Sequence, residues 1–260
     1  FNNYFNLTST YSWDSDIPMN DQRRYVVNEQ KFNMLAKRNF AEKKRSDVPV
    51  AWFVSRCPTQ SKREEYVKRL QRYINVDIYG ECGNLTCDRS PTDKQGTAYK
   101  DDDCVSELLD GKGSYKFYLA FENSLCEDYV TEKLWKVMKV NVVPIVMGAV
   151  SYGSFMPRDS YIDVRDFANP RGLAEYLNRL NKNDAEYNNY LRTKASLQIV
   201  DFHHGPRPCV FCKGLHQMKR KVSVVYALDM FWSSRRCTRP ENFFRVKTFD
   251  DFGFDLKSIQ

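Results

Sequence analysis

Phe117-Tyr118-Leu119-Ala120-Phe121-Glu122-Asn123-Ser124-Leu125-Cys126-Glu127-Asp128-Tyr129-Val130-Thr131-Glu132-Lys133-Leu134-Trp135-Lys136-Val137 decides the fold of this chain. Its first residues are apolar or aromatic without interruption, the pattern of a strand buried on both faces. A polar loop follows, then a helix whose first turn carries Glu132 and Lys133. Open α/β sheets build ligand sites from this succession, because the loop lies outside the carboxyl end of the strand. Glu122, Asn123, Tyr129, Glu132 and Lys133 offer carboxylate, amide, phenol and ammonium groups within one loop and one helical turn. That set suits a ligand carrying both a sugar and phosphates. A Glu-Lys pair on a helix ordinarily faces water; the apolar strands on either side argue against that here.

Upstream, Val48-Pro49-Val50-Ala51-Trp52-Phe53-Val54-Ser55 reads as a strand. Ser61 is placed to cap a helix over 62–74, with Tyr66, Val67, Leu70, Tyr73 and Ile74 on its buried face. Residues 76–80 read as the next strand, and Asp101-Asp102-Asp103 as the cap of a short helix through Leu109. Downstream, Thr131 or Asp128 caps the helix after the central strand. Residues 141–148 and 161–164 read as strands. Asn169-Pro170 starts a helix with Pro in the first turn and Leu173, Tyr176, Leu177 and Leu180 as its stripe. Strands alternating with helices from 48 to 180 predict an α/β doubly wound parallel sheet. Residues 21–47 read as a hydrophilic linker or surface region. Helices are expected over 186–199, with Tyr187, Tyr190 and Leu191 buried, and over 218–231.

Of the 260 residues, 42% are hydrophobic and 28% charged, an ordinary globular balance that excludes a disordered chain. The net charge of +7 favours anionic partners, yet no Lys/Arg block interleaved with aromatics points to nucleic acid. No run of 18 apolar residues crosses a membrane within this chain. A Gly-x-Gly-x-x-Gly fingerprint is also missing, which disfavours an NAD-type site. The chain begins at Phe1 without an initiator Met, inside structured-looking sequence, and reads as a fragment.

Eight cysteines accompany two glycosylation sequons, at Asn6 and Asn84. Together they favour an oxidising secretory compartment and disulfides. Zinc is the competing reading, on Cys209-x-x-Cys212. Asp14-x-Asp16 and the acidic triplet fit loops and caps better than a metal site. His203 and His204 are adjacent and rarely point at one ion. No metal ligands are therefore assigned.

The central stretch resembles the donor-binding motif of the α-1,3-fucosyltransferase family, and the resemblance extends beyond it. Val143-Pro144-Ile145-Val146-Met147-Gly148, Tyr161-Ile162-Asp163-Val164-Arg165-Asp166-Phe167 and Leu173-Ala174-Glu175-Tyr176-Leu177 follow in the family's order. Ser55-x-Cys57 with Arg63 and Tyr66, then Val76-Asp77-Ile78-Tyr79-Gly80-x-Cys82-Gly83, match upstream. The resemblance implies a GT-B glycosyltransferase whose Rossmann-like, parallel-sheet lobe binds GDP-fucose and carries a helical, Cys-containing tail. It implies donor contacts from Asn123, Tyr129, Glu132 and Lys133, with Tyr118 and Glu122 as neighbours and Arg63 and Ser55 on a facing loop. Tyr11 is a further donor contact. Glu132 and Lys133 would support the transition state and leaving group. Arg63, as a fork on phosphate, and Lys133 would replace a divalent metal, so no cofactor is expected beyond the donor itself.

The family transfers fucose with inversion to GlcNAc of glycans, from the Golgi lumen, as type II membrane proteins. The Cys-rich spacer and tail favour the branch acting on the N-glycan core. Its general base is a Glu in the N-terminal lobe, within a motif not found here. Residues 1–48 then read as a remnant of that lobe and linker, 49–183 as the donor lobe and 184–260 as the tail. This chain alone is expected to be inactive, with Cys209 and Cys212 partnered by the absent lobe. A departure lies at Ser12-Trp13, where the family has two arginines. Two other classes stay open: a non-catalytic nucleotide- or glycan-binding module derived from that family, and a zinc-stabilised interaction domain.

Overall fold

The computed structural model describes residues 4–19, 24–87, 102–200, 207–218 and 236–244. Five strands form one parallel sheet: β2 (Val50–Val54), β3 (Val76–Gly80), β4 (Phe117–Phe121), β5 (Val143–Met147) and β6 (Ile162–Asp163). Their order is β3-β2-β4-β5-β6. The chain steps outward from β2 to β3, then returns across β2 to lay down β4, β5 and β6. The direction of winding therefore reverses between β2 and β4. In doubly wound sheets ligands sit outside the carboxyl ends of the strands at that switch point.

Alternating side chains explain why both faces are dry. Phe117, Leu119 and Phe121 of β4 join Val50, Trp52 and Val54 of β2 in one core. That core is closed by α2 (Arg63–Leu70), α5 (Pro170–Lys182) and α6 (Asp184–Ala195). Tyr118, Ala120 and Ala51 face the other way, against Leu109 of α3 (Asp102–Asp110) and Leu134 and Val137 of α4 (Glu132–Val137). All five residues of β4 are buried, as its uninterrupted apolar run requires.

Local chemistry differs from the sequence reading in several places. Ser61 does not cap α2: Lys62 holds that position with φ 50° and no side-chain cap bond. The buried carbonyl just past β4 takes the Ser61 hydroxyl instead, which donates to Glu122 O at 2.7 Å. Tyr73 lies beyond α2 and is exposed. Thr131 stands at the N-cap of α4 without a side-chain cap bond, because its hydroxyl serves Glu122. Asn169 does cap α5, accepting from Gly172 N.

The segment read as a linker contains β1 (Tyr25–Val27) and α1 (Glu29–Met34). β1 pairs antiparallel with β7 (Leu197–Ile199), a strand where the helical pattern was expected to continue. Edge pairing ends the helix there, with Ser196 as the C-cap of α6, its N–H donating to Arg192 O and Thr193 O at 3.1 Å. Phe40 and Ala41 of the same segment are buried in the main core. Cys209 and Cys212 lie on a helix, α7 (Arg207–Gln217). The two histidines, Asp101 and the expected helix beyond residue 218 fall outside the described residues.

Disulfides join Cys57 to Cys82 and Cys126 to Cys237, and Cys87 is also disulfide-bonded. Cys209 and Cys212 are free and exposed. Among the described residues no cluster of three or more His, Cys, Asp or Glu residues is placed to hold a metal. Asp14 instead meets Arg236, and Asp16 accepts from the amide and hydroxyl of Thr8. No described helix is long and apolar enough to cross a membrane.

Candidate functional site

β4 ends at the switch point and delivers Glu122 into its mouth. The carboxyl group is 1% exposed. Oε1 accepts from Thr131 N at 2.8 Å, and Oε2 from the Thr131 hydroxyl at 2.8 Å and Lys133 Nζ at 3.3 Å. Glu122 therefore covers the first free amides of α4, a place where negative charge is favoured. Burial pushes its pKa up, against the opposing pull of Lys133 and the Thr131 bonds. Gly148, just past β5, lies beside it and makes room for the Tyr152 hydroxyl. A Cβ there would meet Tyr152 Oη at 2.5 Å and Glu122 Cγ at 3.5 Å.

Lys133 is held on three sides, by Glu122, by Thr131 Oγ1 at 2.7 Å and by Glu132 at 3.3 Å. Its side chain keeps 20% exposure and that of Glu132 63%, so this ion pair opens to solvent. Partial burial raises the Glu132 pKa, but Lys133 and the hydrogen bonds outweigh it and hold the carboxylate below its usual value. Asn123 presents an Oδ1 that is buried and unpartnered. Unpaired buried polar atoms are rare and call for an explanation such as a missing ligand.

Arg63 opens α2 rather than lying on a loop, and is 2% exposed. Nη1 donates to Phe121 O at 2.6 Å and Nη2 to Arg56 O at 3.3 Å, while Nε has no partner. The guanidinium thus ties the end of β4 to the loop after β2. It acts here as a buried positive charge beneath the site, not as an open fork. Ser55 sits exposed at the end of β2. Tyr118 is buried, its ring stacked on Phe53, and burial raises its pKa. The rings of Tyr129 and Tyr11 meet edge-to-face at 5.0 Å, each phenol raised by partial burial. The structure thereby brings Glu122, Glu132 and Lys133 into one ion-pair network, lays Arg63 against the end of β4, and joins Tyr129 to Tyr11. Asn6 and Asn84 are exposed.

Sequence reasoning left out four participants. Thr131 and Ser61 were read only as caps. Ser12 looked like a defect, yet it is 1% exposed and hydrogen-bonded to Asp14 and Asp128. Arg236 comes from the far end of the chain, beside Cys237, whose disulfide to Cys126 carries it to the site.

A parallel α/β lobe with charged groups gathered at its switch point, joined to a Cys-containing tail, is the class of GT-B glycosyltransferase lobes. Residues 41–231 match the family model "Glycosyltransferase family 10 (fucosyltransferase) C-term". The chain belongs to glycosyltransferase family 10, the fucosyltransferases. It is 40% identical over 222 residues to "Glycoprotein 3-alpha-L-fucosyltransferase A" of Drosophila melanogaster, covering 83% of this chain and 41% of that protein. It is 36% identical over 206 residues to "GDP-fucose protein O-fucosyltransferase 3" of Homo sapiens, covering 75% and 40%. A solved alpha1,3-fucosyltransferase with GDP shares the fold, with TM-score 0.51 and 19% identity over 75% of this chain and 54% of that one. The chain spans about two fifths of the length of these curated relatives.

Proposed function

We propose that this chain supplies the donor-binding lobe of an inverting α-1,3-fucosyltransferase, which moves fucose from GDP-fucose to GlcNAc of a glycan, the N-glycan core being the acceptor. The observation that carries this reading is the exposed Glu132–Lys133 pair set over buried Glu122 and Arg63 at the switch point. Family membership and the glycoprotein 3-fucosyltransferase relative support it.

The leaving GDP gains negative charge on its diphosphate. Lys133 meets that charge at the mouth, and Arg63 adds positive potential from below. These cations stand in for a divalent metal. Glu132, held ionised, accepts from fucose hydroxyls or steadies positive charge on the sugar ring. Asn123 Oδ1, Tyr129, Tyr11 and Ser55 line the donor, with Tyr118 behind them. No residue of this chain is assigned as the base that takes the acceptor proton. The reading places that base in an N-terminal lobe, so that residues 1–48 are its remnant and linker, 49–183 the donor lobe and 184–260 the tail. It also places the protein in the Golgi lumen on a type II anchor; the disulfides and exposed sequons support the secretory compartment.

The test is transfer from GDP-fucose to a GlcNAc-bearing N-glycan in EDTA, followed by linkage and anomer analysis. A protein extended to the length of its relatives forms an inverted α-1,3 product, and the 260-residue chain alone forms none. Efficient transfer by the short chain, or a requirement for added metal, contradicts the proposal.

A further inference from the structure

This inference rests on reading the β4–α4 turn as the donor site, and it concerns how the turn is held. Asp128 has φ 61°, the left-handed region that residues with a Cβ seldom adopt. Such a conformation persists where its surroundings over-determine it. Tyr129 follows directly, so the Asp128 backbone aims the Tyr129 ring.

Two separate segments hold Asp128. From the N-terminal side, its carboxylate accepts from Trp13 N at 3.1 Å and from the Ser12 hydroxyl at 3.3 Å. From the C-terminal side, Cys126–Cys237 crosses the turn. Glu127 N donates to Arg236 O and Thr238 N to Leu125 O, each at 2.8 Å. The Arg236 side chain then joins the two segments. Nη1 donates to Ser12 Oγ at 2.7 Å and to Asp14 Oδ1 at 2.9 Å, and Nη2 donates to Asp14 Oδ2.

Ser12 has one proton and two carboxylates to give it to, Asp14 at 2.6 Å and Asp128 at 3.3 Å. The Ser12 hydroxyl points first to Asp14, the nearer acceptor. Arg236, bonded to Ser12 Oγ and to both oxygens of Asp14, locks the turn of residues 12–14 that holds the Trp13 amide and Ser12 against Asp128. It also offsets one of two negative charges lying beside a site for an anion. Without it, the turn loses its clamp and the Trp13 amide and Ser12 are no longer held in register with Asp128. We propose that Arg236 is a positioning residue of the donor site, setting through Ser12 and Asp128 the Tyr11–Tyr129 ring pair that walls the nucleotide-sugar.

Calorimetric titration of GDP into the wild type, Arg236→Ala, Arg236→Lys and Asp14→Asn tests this. Arg236→Ala weakens GDP binding about tenfold. Arg236→Lys falls between, because an ammonium pairs with Asp14 but cannot make the fork. Asp14→Asn weakens GDP as well, although it removes a negative charge. A folded Arg236→Ala that binds GDP within about twofold of wild type overturns the inference. Tighter binding by Asp14→Asn overturns it too, since charge alone would then explain Arg236. Should the alanine variant not fold, Arg236→Lys decides by the same criterion. A wild type that binds no GDP refutes the donor-site reading itself and removes this inference with it.

Discussion

At the amino ends of the parallel strands, buried or half-buried lysines lean mainly on main-chain carbonyls. Lys194 donates to Val140 O at 2.5 Å and Val142 O at 2.6 Å, ahead of β5. Lys116 donates to Asn181 O at 2.7 Å and reaches the exposed carboxylate of Asp184 at 3.3 Å, and Lys44 donates to Leu109 O at 2.6 Å and Ser114 Oγ at 2.8 Å. At the carboxyl ends the balance shifts from carbonyls to carboxylates, one of them buried. Lys133 meets two carboxylates and a hydroxyl, Glu122 is buried beneath it, and Asn123 Oδ1 and Arg63 Nε are left without partners. A cation satisfied by carbonyls fastens a helix to a sheet edge. A cation balanced by carboxylates, beside orphaned polar atoms, still has capacity for a ligand. The same sheet thus spends its charge on architecture at one end and keeps it for chemistry at the other.

The largest effect expected from breaking this contrast is at Glu122. Glu122→Ala strips Thr131 N and Lys133 of their buried acceptor and should lower unfolding free energy by about 3 kcal/mol in urea melts. A loss under about 0.5 kcal/mol, the range of ordinary surface changes, would mean that the network is not buried in solution.

The smaller effect is a pH dependence at the opposite end. Burial, then the nearby charge of Lys44, pushes the Lys194 pKa down to about 7 from 10.5 in the unfolded chain. Between those values the unfolded state binds the extra proton, so stability rises with pH. The cost of burying the charge is fully present below about 7 and is relieved as pH approaches 10.5. Lys44, lowered to about 8 by burial, adds in the same direction. Denaturant midpoints of the wild type should climb from about pH 6.5 to 9.5, and Lys194→Met should flatten that climb. A wild type already flat across the range would show that Lys194 stays charged on its carbonyls.

Much of the carboxyl end was legible in the sequence. An unbroken apolar run, a polar loop and Glu132-Lys133 are contiguous, so period and composition suffice to place them at the end of a buried strand. The parallel sheet followed from strands and helices alternating at short range. What escaped the reading depends on long-range competition. Ser61 could cap a helix or bind a strand end, and only the packing of α2 against β4 chooses. Thr131 faced the same choice against Glu122. Leu197–Ile199 continues a helical pattern until β1, distant in sequence, offers it an edge. Arg236 joins Asp14 and Ser12 across most of the chain, a contact no local pattern encodes. Arg63 illustrates a subtler limit: its type suggested phosphate recognition, while burial fixes its two Nη groups on carbonyls.

The most direct measurement is calorimetric titration of GDP into this chain in EDTA, repeated with Mn²⁺ and with Lys133→Ala. The account predicts binding that does not need the metal and weakens about tenfold in the variant, as expected when a charge-assisted contact to phosphate is lost. Binding that requires Mn²⁺, equal affinity in Lys133→Ala, or no binding by the folded chain would contradict a diphosphate site at the β4–α4 turn.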